Sequence, residues 1–170
     1  FADAGGGLPE ALPMAYAQNA SVSADGQWVA FTPWSREGRS WNRYQGGLAT
    51  DIWLFNLETM VAERITEHPG TDDLPMFHGH EVYYLSDGGP ANRRNIWVYN
   101  TESGLRKQVT HFKDHDVMWP SIGPDDIVFE NGGKLMLFSL EGHTVTEVAV
   151  TIPGDHPNVR AALVDVSGYG

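Results

Sequence analysis

Two stretches decide how this chain folds: DIWLFN at Asp51–Asn56 and NIWVYN at Asn95–Asn100. Trp97 stands 44 residues after Trp53, and Val109-Thr110 follows Ile65-Thr66 at the same distance. A weaker third copy, KLMLFSLEGHTVTEVAV from Lys134, puts Met136 in the Trp position, 39 residues after Trp97. A period of about 40 to 45 residues is the length of one four-stranded β-propeller blade.

The interior of each repeat supports four strands. Glu81–Leu85 and Asp126–Phe129 are β-branched and aromatic runs bounded by turn formers such as His78-Gly79 and Asn131-Gly132-Gly133. The DIWLFN and NIWVYN strands follow. Val61–Thr66 and Leu105–Thr110 alternate polar and apolar residues, as a half-exposed outer strand does. Ser21–Phe31 reads as strand, Asp-Gly hairpin and strand, followed by a long insert at Thr32–Thr50. No stretch keeps a helical apolar period, so a sandwich or barrel is the competing all-β reading. The matched period favours an all-β propeller of four-stranded antiparallel blades, about three of them in this chain. The expected division is the end of a preceding blade at 1–13, then blades at 14–68, 69–111 and 112–155. A linker or closing strand is expected at 156–170, with Asn158–Val166 as its extended part. Both ends read as stopping within an element, so a fragment of a larger protein is expected. Trp28, Trp53, Trp97 and Trp119 are expected as core between blades.

Composition narrows the function. With 22 Asp and Glu against 11 Lys and Arg, the chain is a poor match for a nucleic-acid groove. No run of about 18 apolar residues exists, so no transmembrane helix is expected and no membrane partner. FADAGGGLPEALPM has neither a basic n-region nor a continuous apolar stretch and does not read as a signal peptide. The absence of cysteine removes disulfides and thiolate chemistry without fixing the compartment. A soluble protein is expected, in the cytoplasm, the periplasm or outside the cell.

Several residues could carry chemistry. Ser21, Ser23, Ser121 and Ser167 lie in strand or turn contexts and no G-x-S-x-G elbow occurs, so no catalytic residue is assigned. His78, His80, His111 and His115 with nearby aspartates could ligate a metal. His78 and His80 flank a turn glycine, and His68 and His111 occupy equivalent blade positions, so neither a metal nor a cofactor is expected. Asp72, Asp73, His115 and Asp116 lie between successive copies, where propeller loops gather around one channel mouth. A carboxylate ring there would favour cationic peptide ends; solvated loop charge and turn capping are the alternatives. The insert carries Trp34, Arg36, Arg39, Trp41, Arg43 and Tyr44, which suit either a contact surface or a loop folded back over its own blade.

The chain also resembles the N-terminal six-bladed propeller of tricorn-type proteases. The resemblance rests on GGLPEALP (Gly6–Pro13), SADGQWVAFTP (Ser23–Pro33), SWNRYQGGLATDIWLFNL (Ser40–Leu57), ITEHPGTDDLPMFHG (Ile65–Gly79), VTHFKDHDVMWPS (Val109–Ser121) and DIVFENGGKLMLF (Asp126–Phe138). The Asp-Gly turns and Ile-Trp strands occur as well in propellers related to the Tol-system periplasmic protein. The resemblance implies the last three blades of a gating propeller in a large oligomeric serine peptidase, whose catalytic residues lie in C-terminal domains beyond this segment. It implies peptides as the partner of the parent protein and, for an archaeal-type tricorn, a cytoplasmic location. The substrate-anchoring arginine pair of that family belongs to an earlier blade, so Arg93-Arg94 does not inherit the role. A propeller segment for peptide gating or subunit assembly is therefore expected. The alternative is a standalone or engineered half-propeller for protein binding. Three blades leave two raw inter-blade faces, so self-association to a two-fold, six-bladed ring is expected.

Overall fold

The computed structural model describes residues 2, 4–34, 43–151, 153–154, 164 and 166–169. Arg36, Arg39 and Trp41, and most of the expected strand Asn158–Val166, lie outside them. Twelve strands form three four-stranded antiparallel sheets, each a meander of consecutive strands. The first sheet comprises β1 (Gln18–Val22), β2 (Trp28–Thr32), β3 (Trp53–Asn56) and β4 (Val61–Arg64). The second comprises β5 (Asp72–His78), β6 (Glu81–Ser86), β7 (Asn95–Asn100) and β8 (Arg106–Gln108). The third comprises β9 (Val117–Ile122), β10 (Asp126–Asn131), β11 (Lys134–Ser139) and β12 (Val145–Glu147). No helix and no closed barrel occurs among the described residues apart from one 3₁₀ turn at Ser167–Tyr169, so the sheets are propeller blades.

The blades stack face to face. Ala30, Ile52 and Leu54 of the first blade are buried against Val82 and Tyr84 of the second. The opposite face of the second blade, with Tyr83, Leu85, Ile96 and Val98, is buried against Val117, Ile127, Phe129 and Phe138 of the third. Strand alternation sends successive side chains to these two faces, so both are apolar and β2, β3, β6 and β7 carry nearly continuous apolar runs. At the junctions the first strands lie closest: β5 packs against β1 and β9, and also against β2. The first strands are therefore the inner edges, and β4, β8 and β12 the outer ones.

The repeat extends to single hydrogen bonds. Ile52 N donates to Thr66 Oγ1 (2.9 Å) and Ile96 N to Thr110 Oγ1 (2.8 Å). The hydroxyls donate in turn to Asp51 Oδ1 and Asn95 Oδ1. At the other end, Asn56 Oδ1 accepts from Glu58 N and Thr59 N, and Asn100 Oδ1 from Glu102 N and Ser103 N. Ser139 Oγ does the same for Gly142 N in the third blade. The residue four places after each of these has positive φ: Met60 (59°), Gly104 (71°) and His143 (50°). Only Gly104 takes that conformation without steric cost.

Two expectations are corrected. β4 and β8 stop short of Thr66 and Thr110, because both threonines turn inward to bind the backbone at the start of the adjacent strand, at Ile52 and Ile96. Both are buried, and all four residues of β4 are exposed. Trp28 and Trp97 do pack on an inter-blade core, but Trp53 packs on the first blade's other face with Phe31, Phe55, Leu12 and Met14, and Trp119 is 61% exposed. Trp119 lies on the face of the third blade that no described residue covers.

Replacing Thr110 by Val keeps the shape but removes the acceptor of the buried Ile96 N–H and the donor to Asn95. Thr110→Val should cost about 2 kcal/mol in urea unfolding; a loss below about 0.5 kcal/mol would show that neither bond matters.

Candidate functional site at the blade junctions

Each junction opens with one backbone bond. Asp72 N donates to Thr50 O and Val117 N to Arg94 O, both at 2.8 Å. Asp72 and Val117 are thus equivalent first residues of inner strands, and Asp116 matches Thr71 rather than Asp72. At the first junction, Thr50 Oγ1 also donates to Asp72 O (2.8 Å).

From this frame a polar chain crosses all three blades. Asp73 Oδ1 accepts from Asn19 Nδ2 of β1 (3.0 Å) and from Leu74 N (2.7 Å). Asp73 Oδ2 faces Arg94 Nη2 at 3.8 Å, with both side chains almost wholly buried. Arg94 N donates to Asp116 Oδ1 (3.1 Å), and Arg43 Nη2 approaches the same oxygen at 3.5 Å. Arg43 Nε donates to Asn92 O (2.8 Å) in the β6–β7 loop. Arg43 belongs to the insert of the first blade, so this end of the insert reaches over the second blade to the third. Tyr44 beside it is half-buried, and Trp34 at the other end stacks obliquely on Tyr16 with ring centres 6.4 Å apart.

Asp72 is different. It is 1% exposed and its Oδ1 has no hydrogen-bond partner. Burial pushes its carboxyl up to about 6, against the hydroxyls of Ser86 and Thr66 and the charge of His68, while Asp51 adds repulsion. Asp51 is itself raised by burial, opposed by Arg64 at 3.3 Å. His68 Nε2 and Thr71 N converge on buried Asp87 Oδ1 at 2.9 and 3.0 Å. His115 is exposed, and its carbonyl accepts from Asn131 Nδ2 (2.9 Å). Asp72 and Asp73 therefore offer little charge to solvent, and Asp116 is partly covered by two arginines. No group of three or more His, Asp or Glu among the described residues is placed to hold a metal ion.

The inner strands share one more device. β1, β5 and β9 each slip register against their neighbour, between Gln18 and Ser21, Asp73 and Met76, and Met118 and Ser121. Each bulge centres on a non-glycine residue of positive φ: Asn19 (43°), Leu74 (52°) and Trp119 (51°). Proline follows in two of the three, at Pro75 and Pro120. Bulges and prolines at one point on an edge interrupt its row of backbone donors and acceptors. The residues that sequence reading missed are Asn19, Arg94 and these bulge residues. The signal for the bulges was present, since Leu74-Pro75 and Trp119-Pro120 place proline inside strand-like runs.

Blade-built sheets, inner edges meeting at a common line and matched junction bonds define a segment of a β-propeller of the kind found in TolB and tricorn proteins. The profile of the Tricorn protease N-terminal beta propeller domain matches residues 2–144, and the chain belongs to that family. It is 23% identical over 163 residues to a tricorn protease homolog of Saccharolobus solfataricus, covering 96% of this chain and 15% of the relative. Among solved structures it resembles the tricorn protease, with TM-score 0.65 and 20% identity over 79% of this chain and 13% of that one. It resembles TolB from Acinetobacter baumannii, with TM-score 0.59 and 20% identity over 76% of this chain and 31% of that one. These structural likenesses describe fold. The chain spans about one seventh of the length of the tricorn relatives it matches.

The raised carboxyl of Asp72 gives a sign that can be tested. The folded state holds the proton up to about pH 6 and the unfolded state loses it near 3.8, so folding weakens as pH rises between those values. Asp72→Asn should therefore be more stable than the parent by about 2–3 kcal/mol at pH 8, with the gain vanishing near pH 3.5. A pH-independent difference in thermal melting would refute it. For the ion pairs, Asp73→Ala removes the buried carboxylate that faces Arg94 and accepts from Asn19 and Leu74, and should cost about 3 kcal/mol or more. Arg43→Ala, at a more open pair, should cost under about 1 kcal/mol in the same denaturant titration. Equal losses would contradict the burial difference.

Proposed function

We propose that this chain is a non-catalytic propeller segment of a tricorn-like serine peptidase and that its inner edges line a passage for peptides. The observation that carries this is the interruption of β1, β5 and β9 at the same point. A sheet edge left regular captures an extended peptide as an added strand. An edge broken by a bulge and proline does not, so a peptide can move along it without being held. Strand capture is what a binding module needs, and the alternative of a standalone protein-binding half-propeller fits these edges less well. The family membership supports the same reading, since peptides are what a protease acts on. The buried polar chain from Asn19 to Arg43 keeps the inner strands fixed relative to one another, which a passage of constant width requires.

The exposed Ala20 of β1 offers a test in the longer protein carrying this segment. Ala20→Cys is modified with a bulky maleimide, and unsubstituted protein treated alike is the control. Turnover of peptides of ten residues or more should fall by about fivefold or more in kcat/KM, while short chromogenic substrates should be unaffected. Equal effects on long and short substrates, or none on either, would overturn the passage.

A further inference from the structure

The hairpin turns of the blades lie on one side of the arc, after the first strands at 23–27, 79–80 and 123–125 and after the third at 57–60, 101–105 and 140–144. They carry Asp25, Glu58, Glu102, Asp125 and Glu141, with no lysine or arginine. Acidic turns alone are a solvated rim. Between the first and second blades, however, they border a cleft of about 480 Å³, a size usual for small-ligand sites. Half-buried Trp28 and Phe77 and buried Leu54 form its inner wall, and exposed Asp25, Glu63 and Glu102 stand at its opening. Ser23 Oγ donates to Asp25 and holds its carboxyl below the usual range, so Asp25 keeps its charge. His80 Nδ1 lies 3.7 Å from Glu102 Oε1 in an open pair. Arg106 is on the same face of the second blade, opposite Tyr99, but outside the lining.

Trp28 is the residue that the repeat does not explain. It stands opposite Asn56 in the register, as Glu81 stands opposite Asn100 and Asp126 opposite Ser139. The fold thus accepts a carboxylate at this position in the other two blades, where Glu81 and Asp126 line the corresponding cleft of about 390 Å³. An indole in their place gives the first cleft an aromatic wall beneath a carboxylate opening. Aromatic face and anionic edge together suit a cation: the ring attracts it over its face, and the carboxylates take its N–H donors. A guanidinium uses both walls, because it is planar, stacks on rings and meets carboxylates with a two-pronged fork. An ammonium is a compact, strongly hydrated charge that uses the rings less well.

We propose that the cleft between the first and second blades binds an arginine side chain of a polypeptide, with its guanidinium over Trp28 and Phe77 and its N–H groups towards Asp25, Glu63 and Glu102. The site belongs to the hairpin-turn side of the blades, and its occupancy is read without turnover. It therefore stands or falls separately from the passage along the inner edges.

Fluorescence anisotropy on the longer protein carrying this segment tests it. The probe is a fluorescein-labelled Gly-Arg-Gly-Arg-Gly with D-arginines, which a peptidase does not consume. Counterparts carry D-lysine, or D-citrulline, which keeps the shape of arginine without its charge. The lysine peptide should bind about threefold or more weakly than the arginine peptide, and the citrulline peptide about tenfold or more weakly. Glu63→Gln with Glu102→Gln should weaken the arginine peptide about tenfold. Ala24→Trp, which fills the cleft and keeps every charge, should weaken it about fivefold or more. Glu58→Gln with Glu67→Gln, outside the cleft, removes the same charge and should change binding by less than about twofold. All of these side chains are exposed, so circular dichroism should be unchanged. Equal binding of the citrulline or the lysine peptide overturns the proposal. So does indifference to Ala24→Trp, or a loss in the outer glutamate pair equal to that in the cleft pair.

Discussion

A four-stranded sheet with two apolar faces cannot be stable alone, and everything in this molecule answers to that constraint. Among the described residues no α-helix covers the faces, so the blades cover one another. Val82 and Tyr84 look one way and Tyr83 and Leu85 the other, and all four are buried at 2% exposure or less. Burying side chains of this size contributes about 2 kcal/mol each. The stacking therefore outweighs the hydrogen bonds at the junctions, whose part is to set register. Asp72 N on Thr50 O and Val117 N on Arg94 O do so at corresponding points, which is why the side chains interleave in the same pattern at both junctions.

Much of this could be read from the residues. The spacing of Trp53 and Trp97 gave the blade, and the Asp-Gly turn gave the first hairpin, where Gly26 has the positive φ such a turn needs (71°). Family membership followed from motifs spread along the chain. What failed to show were facts about depth. Asp72 and Asp73 read as loop charge because aspartate is normally exposed; their burial depends on Asn19, 54 residues before Asp73, and on Arg94 from another loop. Trp119 read as core because tryptophan usually is. Its exposure follows from which face of which blade it occupies, and period alone does not say whether a face is covered.

The polar chain at the inner side and the apolar cores between blades divide the work. The apolar faces supply most of the stability, while the polar groups specify geometry at a cost. The partnerless Oδ1 of Asp72 and the left-handed backbones of Asn19, Leu74 and Trp119 are each unfavourable locally. They recur where the inner strands meet, which is where spacing between strands matters most for anything that travels along the axis.

The reach of Arg43 has a consequence for how such an array comes apart. In a linear repeat protein each unit touches only its neighbours, and ends can fray one unit at a time. Here a residue from the first blade bonds the second and pairs with Asp116 at the head of the third. A next-nearest-neighbour link of this kind raises the cost of losing any one blade while the others stay, so unfolding is pushed from stepwise fraying towards a single cooperative event.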